Sequence, residues 1–337
     1  SSSRGLGDVY KRQEMAPKLS AHSDKILLND ALFQRVNTLY DNRMDLGLDN
    51  ESVRLIEKYH TSFIRAGAKL NAEQKERLKA INSEIAVLQT NFSQNVLKEV
   101  NALAIVVDSK DELEGLSESA IESASNEAKS RGMEGKYVIA LKNTSGQPSL
   151  SSLKNRELRE RIHTTSLSRG SRGGEFDNRE ILTNVLRLRA EKAKLLGYEN
   201  HAAYTLEVQT AQTPQAVNER LRSLAPKSLA NAKREASDLQ EMINASGESF
   251  SLSSWDWDYY TEKVRAERYS FDASQLKPYF EMDNVLQNGV FFAANQLFGL
   301  SFTERFDLPT YQEDVRVFEV FEAVSYTHLR AHETTNY

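Results

Sequence analysis

Apolar residues return at helical spacing through the first hundred positions. Ile26, Leu27, Ala31, Leu32 and Val36 keep an i, i+4 rhythm that Leu39 and Tyr40 extend, which predicts a helical first block. A second helix is expected from about Ser52 to Ala66, with Val53, Ile56, Phe63 and Ile64 on its apolar side. The third is long, because Leu78, Ile81, Ile85, Leu88 and Phe92 step by 3, 4, 3 and 4 residues along one seam. That seam barely exceeds two heptads before β-branched residues take over. Antiparallel packing within one chain therefore explains it better than a free coiled-coil dimer.

The period then changes. Leu103 to Val107 and Tyr137 to Leu141 are short and rich in branched residues, and turn residues Asn143 to Pro148 follow the second run. These two runs are expected to pair as a small sheet, with a helix over 117–131 between them. Helices resume at Leu150 to about Leu167, from Asp177 or Asn178 to Gly197, from Thr213-Pro214 to about Asn244, from Trp255 to Arg268, and from Asn284 to Phe298 before Gly299. The end of the chain turns to strand signals at 302–306 and 315–321. The run Val315 to Phe321 is apolar on parts of both faces, so it needs partners on both edges and further sheet after it.

The fold class that follows is mainly α, a multi-helix body with a few short strands at about 103–107, 137–141, 302–306 and 315–321. Composition agrees: 39 % of the 337 residues are apolar and 27 % charged, with a mean hydropathy of −0.56. There is no run of 18 apolar residues, which argues against a membrane partner. The net charge of −5 argues against nucleic acid, which wants a basic face. The chain has no cysteine, which excludes thiolate catalysis, disulfides and cysteine zinc sites in these residues.

Four motifs could carry chemistry. The stretch Arg169-Gly170-Ser171-Arg172-Gly173-Gly174 could cradle an anion on converging N–H groups, or simply join two helices. His22, His60, His163 and His201 are scattered, with no i, i+4 pair to hold a metal. Glu157 and Glu160 alternate with Arg156, Arg159 and Arg161, which reads as a solvated ion-pair face. The aromatic run Trp255 to Tyr260 reads as core, with Asp256 and Asp258 complementing a helix N-terminus. A fifth motif is a decoy. His332-Glu333-Thr334-Thr335-Asn336 starts like the zinc-peptidase motif H-E-x-x-H, but the second His position is Asn336 and no apolar face supports a helix there.

Several stretches taken together resemble one known family. They are Trp255 to Tyr260, Glu262 to Arg265, Leu276 to Glu281, Asn295 to Leu300 and Asp314 to Phe321, joined upstream by Glu14 to Lys18, Asn29 to Phe33, Gly135 to Val138 and Ser168 to Gly174. The family is that of thimet oligopeptidase and oligopeptidase A, zinc metallopeptidases, and within it the peptidyl-dipeptidase branch. The resemblance covers 14–323. It implies one lobe of a mostly helical, two-lobed fold around a channel. It also implies short unfolded peptides as substrates, release of C-terminal dipeptides, and one zinc on an H-E-x-x-H helix whose Glu activates the bound water. No H-E-x-x-H occurs in residues 1–337, so no catalytic or zinc-binding residue is carried over. The chain is expected to be an internal fragment that binds no zinc and cleaves nothing by itself.

Five segments result: 1–13, a non-native tail resembling adapter-derived sequence; 14–169, a helical region with a small β element; 170–301, a second helical region; 302–323, the start of a sheet leading into the catalytic part; and 324–337, a second non-native tail. A cytoplasmic location, with the periplasm as alternative, and a monomeric whole protein are expected. A non-catalytic helical interaction module is the competing functional reading.

Overall fold

A computed structural model describes residues 2–141, 146–270, 273–312, 314–322 and 327–332. They form two compact units, Ser1–Val264 and Arg265–Tyr337.

The first unit opens with α1 (Ser2–Leu27), α2 (Asp30–Asn42), α3 (Asn50–Arg65) and α4 (Ala72–Ala102). The expected first block is two helices, because Asn29 caps a new one: its side chain accepts from the Leu32 N–H at 2.9 Å. Asp49 starts α3 in the same way, and Asn71 with Gln74 forms a reciprocal capping box at the head of α4. The seam of α4 is buried as its spacing requires, with Leu78 and Ile81 fully inaccessible. Its partners are in the same chain. Gln13 bonds Asn91 and Asn82 bonds Asp24, so α1 and α4 run antiparallel.

A two-stranded antiparallel sheet follows, β1 (Ile105–Val107) with β2 (Tyr137–Ile139), paired Ile105 to Ile139 and Val107 to Tyr137. Between them lies α5 (Glu118–Ser130), the expected helix. Asn143 to Ser145 of the expected turn lie outside the described residues. Ile105, Val107, Leu113, Leu153 and Ile162 make the core of this part. Gly115 is fixed by contact as well as by its φ of +98°: a Cβ there would stand 2.1 Å from the Ser152 carbonyl.

The helix expected from Leu150 begins later. A short 3₁₀ turn spans Pro148–Ser151, and α6 (Arg156–Leu167) starts only where Asn155 accepts from the Leu158 N–H at 3.0 Å. Then come α7 (Arg179–Leu195), α8 (His201–Leu206), α9 (Pro214–Ala245) and α10 (Trp257–Tyr269). No described helix is long and apolar enough to cross a membrane.

In the second unit, α11 (Met282–Asn284), a π-helical stretch (Val285–Phe291) and α12 (Phe292–Phe298) follow one another without a break. Gly299, left-handed at φ 67°, ends them. The sheet that follows has the order β3 (Ser301–Arg305), β4 (Arg316–Phe321) and β5 (Thr327–His332), all antiparallel. Phe291 stacks on Phe302 at 4.0 Å and meets Phe318 edge-on at 5.0 Å.

Sequence periodicity linked neither end of the chain to its neighbours, and here the fold differs. The helix of residues 14–27 runs back to Ser2, since each residue added to an existing helix gains a hydrogen bond. At the other end 327–332 pairs with β4, giving that strand the second edge partner its sequence demands from a segment with no apolar alternation. The glycine-rich stretch 170–174, read as a segment boundary, lies inside the first unit.

Candidate functional site

On α1, Ser20, Ser23, Asp24 and Leu27 follow i, i+3, i+4, i+7 and so share one face. On α4, Asn82, Ile85, Ala86 and Gln89 repeat that spacing. The two faces, with Ser62, Arg65 and Ala66 at the end of α3, Lys192 of α7 and Tyr204 of α8, line a cleft of about 490 Å³.

The cleft holds a charged pair that does not touch. Asp24 is only 8 % exposed, and its Oδ1 accepts from Asn82 Nδ2 at 2.8 Å. The other face of the same amide accepts from Lys192 Nζ at 2.7 Å. Burial pushes the Asp24 carboxyl above its ordinary value and pulls the Lys192 ammonium below its own. Arg65 on the rim is already engaged: it pairs with Glu207, donates to the Tyr204 carbonyl at 2.7 Å and lies 4.4 Å over the Tyr204 ring. Burial and the Glu207 carboxylate, which accepts from the Tyr198 hydroxyl at 2.6 Å, push that phenol up to about 12.

A second polar centre sits under α6. Asp256 is fully buried and accepts from Arg156 Nε at 3.0 Å and Nη2 at 2.8 Å, from Arg159 Nη2 at 2.9 Å and from the Ser253 N–H at 3.1 Å. Burial alone would raise this carboxyl, but the hydrogen bonds together outweigh it and hold the group below its ordinary value. The solvated ion-pair face expected of Arg156 and Arg159 does not form. Arg159 is 1 % exposed, and Arg156 turns to Asp256, so they are not part of a solvated face. Asp256 serves as their common acceptor rather than only complementing a helix end. No local pattern could have shown this, because the partners are about a hundred residues apart.

The other motifs fall in separate places. The glycine-rich loop spends its amides on the protein's own carboxylates: buried Glu99 accepts from the Gly170 N–H, and Asp177 accepts from the Gly173 N–H at 2.7 Å. These two amides bond separate carboxylates and do not converge on one anion. His60 stacks on Tyr40 at 3.7 Å, with Nε2 3.1 Å from Asn37. His201 Nδ1, His163 Nε2 and Trp255 Nε1 are buried without a partner among the described residues, and His22 is exposed. His332 lies in β5 opposite Arg316, in a strand and not a helix, while Glu333 to Asn336 lie outside the described residues. Among the described residues no three His, Asp or Glu side chains gather as a metal site. The described side chains thus do not fit the zinc that the family resemblance implies.

Comparison with known proteins places the sequence. It is 41 % identical over 311 residues to a dipeptidyl carboxypeptidase of Salmonella typhimurium, covering 92 % of this chain and 46 % of the relative. It is 39 % identical over 310 residues to a dipeptidyl carboxypeptidase of Escherichia coli, at 92 % and 46 % coverage. It is 29 % identical over 321 residues to oligopeptidase A of Escherichia coli, at 94 % and 47 %. The chain therefore spans about half the length of the curated relatives it matches. The description Peptidase family M3 matches residues 149–332, more than half of the chain. The region it matches contains the Arg156–Asp256 centre, the glycine-rich loop and all three strands of the second sheet, and the chain belongs to Peptidase family M3.

Proposed function

We propose that these residues serve a zinc-dependent peptidase that releases dipeptides from the C-termini of short unfolded peptides, and that they do not hold the zinc themselves. The observation that carries the reading is the 41 % identity to a dipeptidyl carboxypeptidase across 92 % of the chain. The metal, when bound in the whole enzyme, would supply an activated water. The residues described here would contribute shape: rigid helical walls, fixed by buried polar centres such as Asp256, that admit a flexible peptide. A cytoplasmic, monomeric whole protein is part of the proposal.

Two preparations test it. The 337-residue chain, dialysed against zinc, should retain no stoichiometric metal and release no dipeptide from a quenched peptide. The reading frame of the source DNA, extended to the length of the relatives, should encode H-E-x-x-H and yield dipeptide release that chelators abolish. An extended protein without that motif, or one indifferent to chelators, would leave a non-catalytic helical module as the better reading.

A further inference from the structure

The cleft between α1, α4 and α7 carries two ionisable groups of opposite sign, Asp24 and Lys192. Asp24 is 8 % exposed as a residue, and its Oδ2, which has no partner among the described residues, keeps its contact with solvent. An ionised carboxylate in that position is costly unless something pairs with it. Lys192 has one acceptor, Asn82 Oδ1, which leaves two of its three N–H donors unused. Asn82 holds the two charges on either side of one carboxamide, so they attract each other across it without meeting. Ser20, Ser23 and Gln89 line the same space and have no hydrogen-bond partner among the described residues. The volume, about 490 Å³, is that of a small-molecule site.

The charge pattern selects the ligand. A simple anion could take Lys192 but would face Asp24, and Arg65 cannot help because Glu207 and Tyr204 hold it. A simple cation could take Asp24 but would face Lys192. A metal ion would find a single carboxylate. Only a molecule that brings an ammonium to Asp24 and a carboxylate to Lys192 satisfies both.

We propose that this cleft binds a small zwitterion with free amino and carboxyl groups, an amino acid or a dipeptide, with Asp24 taking the ammonium and Lys192 the carboxylate. Binding needs no peptide cleavage by the chain, so the site stands or falls apart from the peptidase reading.

Calorimetric titration of the 337-residue chain tests it, with alanine, Ala-Ala, N-acetyl-Ala-Ala and Ala-Ala-amide as probes. Alanine or Ala-Ala should bind saturably at one site, and which of them binds tells the amino-acid source from the dipeptide source. Each blocked peptide should bind about tenfold more weakly or not at all, the loss expected for one charge-assisted hydrogen bond. Asp24→Asn and Lys192→Gln should weaken Ala-Ala or alanine to a similar degree. Asp24 also borders a smaller opening with Lys25 and Lys79, so Lys79→Gln is the control and should leave binding unchanged. The proposal is overturned if neither probe binds, if blocked and free peptides bind alike, or if Lys79→Gln abolishes binding while Lys192→Gln does not. Should a variant fail to fold, the blocked peptides on the unaltered chain decide alone.

Discussion

Asp24 and Asp256 are both buried carboxylates, and the fold treats them in opposite ways. Asp256 receives two arginines and a backbone N–H, and its carboxyl sits below its ordinary value. Asp24 receives one neutral amide, and its carboxyl sits above its ordinary value. The first is a junction whose carboxylate is fully engaged, and it ties α6 to the segment before α10, although Arg159 Nε is itself buried without a partner among the described residues. The second has a free oxygen beside an open cleft. Burial alone thus says little about what a charge is for. What decides is whether its lone pairs are already spoken for.

The largest effect should come from breaking the engaged junction. Asp256→Ala leaves two guanidinium groups without their carboxylate. Among the described residues Arg159, buried, then keeps only the Leu153 and Lys154 carbonyls as acceptors, and Arg156, half-buried, keeps only the Ser253 hydroxyl. The expected loss is about 3–5 kcal/mol, read as a lower urea midpoint with an unchanged slope. The sign of the pH dependence is set by the depressed carboxyl. Its stabilising contribution is fully present above the ordinary value of 3.8 and is lost as pH falls through the lower folded value, so acid should weaken the native chain there. A variant as stable as the native chain would show that Asp256 is not the tie it looks to be.

Arg156→Met should cost less, about 1.5–3 kcal/mol, the range for hydrogen bonds to a charged group. Arg159 remains on Asp256, and the methionine stem can still pack where the guanidinium now lies 4.1 Å over Phe250. If this variant were as damaging as Asp256→Ala, the two arginines would not be sharing the carboxylate.

The sequence shows the scaffold of this comparison far better than its centres. Leu78 and Ile81 declare their face through a periodicity that any helix must obey, and Thr213 announces a helix start through capping chemistry that is local. Asn71 and Asn155 cap in the same local way but went unread, and without Asn155 the expected start of α6 falls too early. The split at Asn29 was also local and could have been read from its capping role. Asp24 offers no such signal. It is one polar residue in a polar stretch, and its amide partner lies 58 positions away. The Arg156–Asp256 bond spans 100 positions. β5 escaped for a different reason: a central strand can recruit an edge partner through backbone bonds alone, whatever its side chains.

At the open carboxylate the expectation reverses. Asp24→Asn keeps an oxygen for the Asn82 amide while removing a poorly solvated charge, so stability should stay within about 1 kcal/mol of the native chain. The comparison sharpens with pH. Below the ordinary value of 3.8 the two proteins should differ by a constant amount. As pH rises through the raised folded value, ionisation should cost the native chain stability that the variant keeps. Parallel denaturation curves at several pH values measure this, and a variant that loses ground as pH rises would mean that Asp24 has a partner as good as those of Asp256.

The smallest effect should come from an ion pair that matches the geometry of the engaged junction but not its burial. Arg77 donates to Glu191 in a two-pronged bond, at 2.6 and 2.8 Å, linking α4 to α7. Both side chains are open to water, 46 % and 37 % exposed. Water can therefore replace either partner, and salt screens what attraction remains. Arg77→Ala should be indistinguishable from the native chain in a urea melt at physiological ionic strength. A loss approaching that of Arg156→Met would mean that bond geometry, and not exclusion of water, is what makes the Asp256 centre strong.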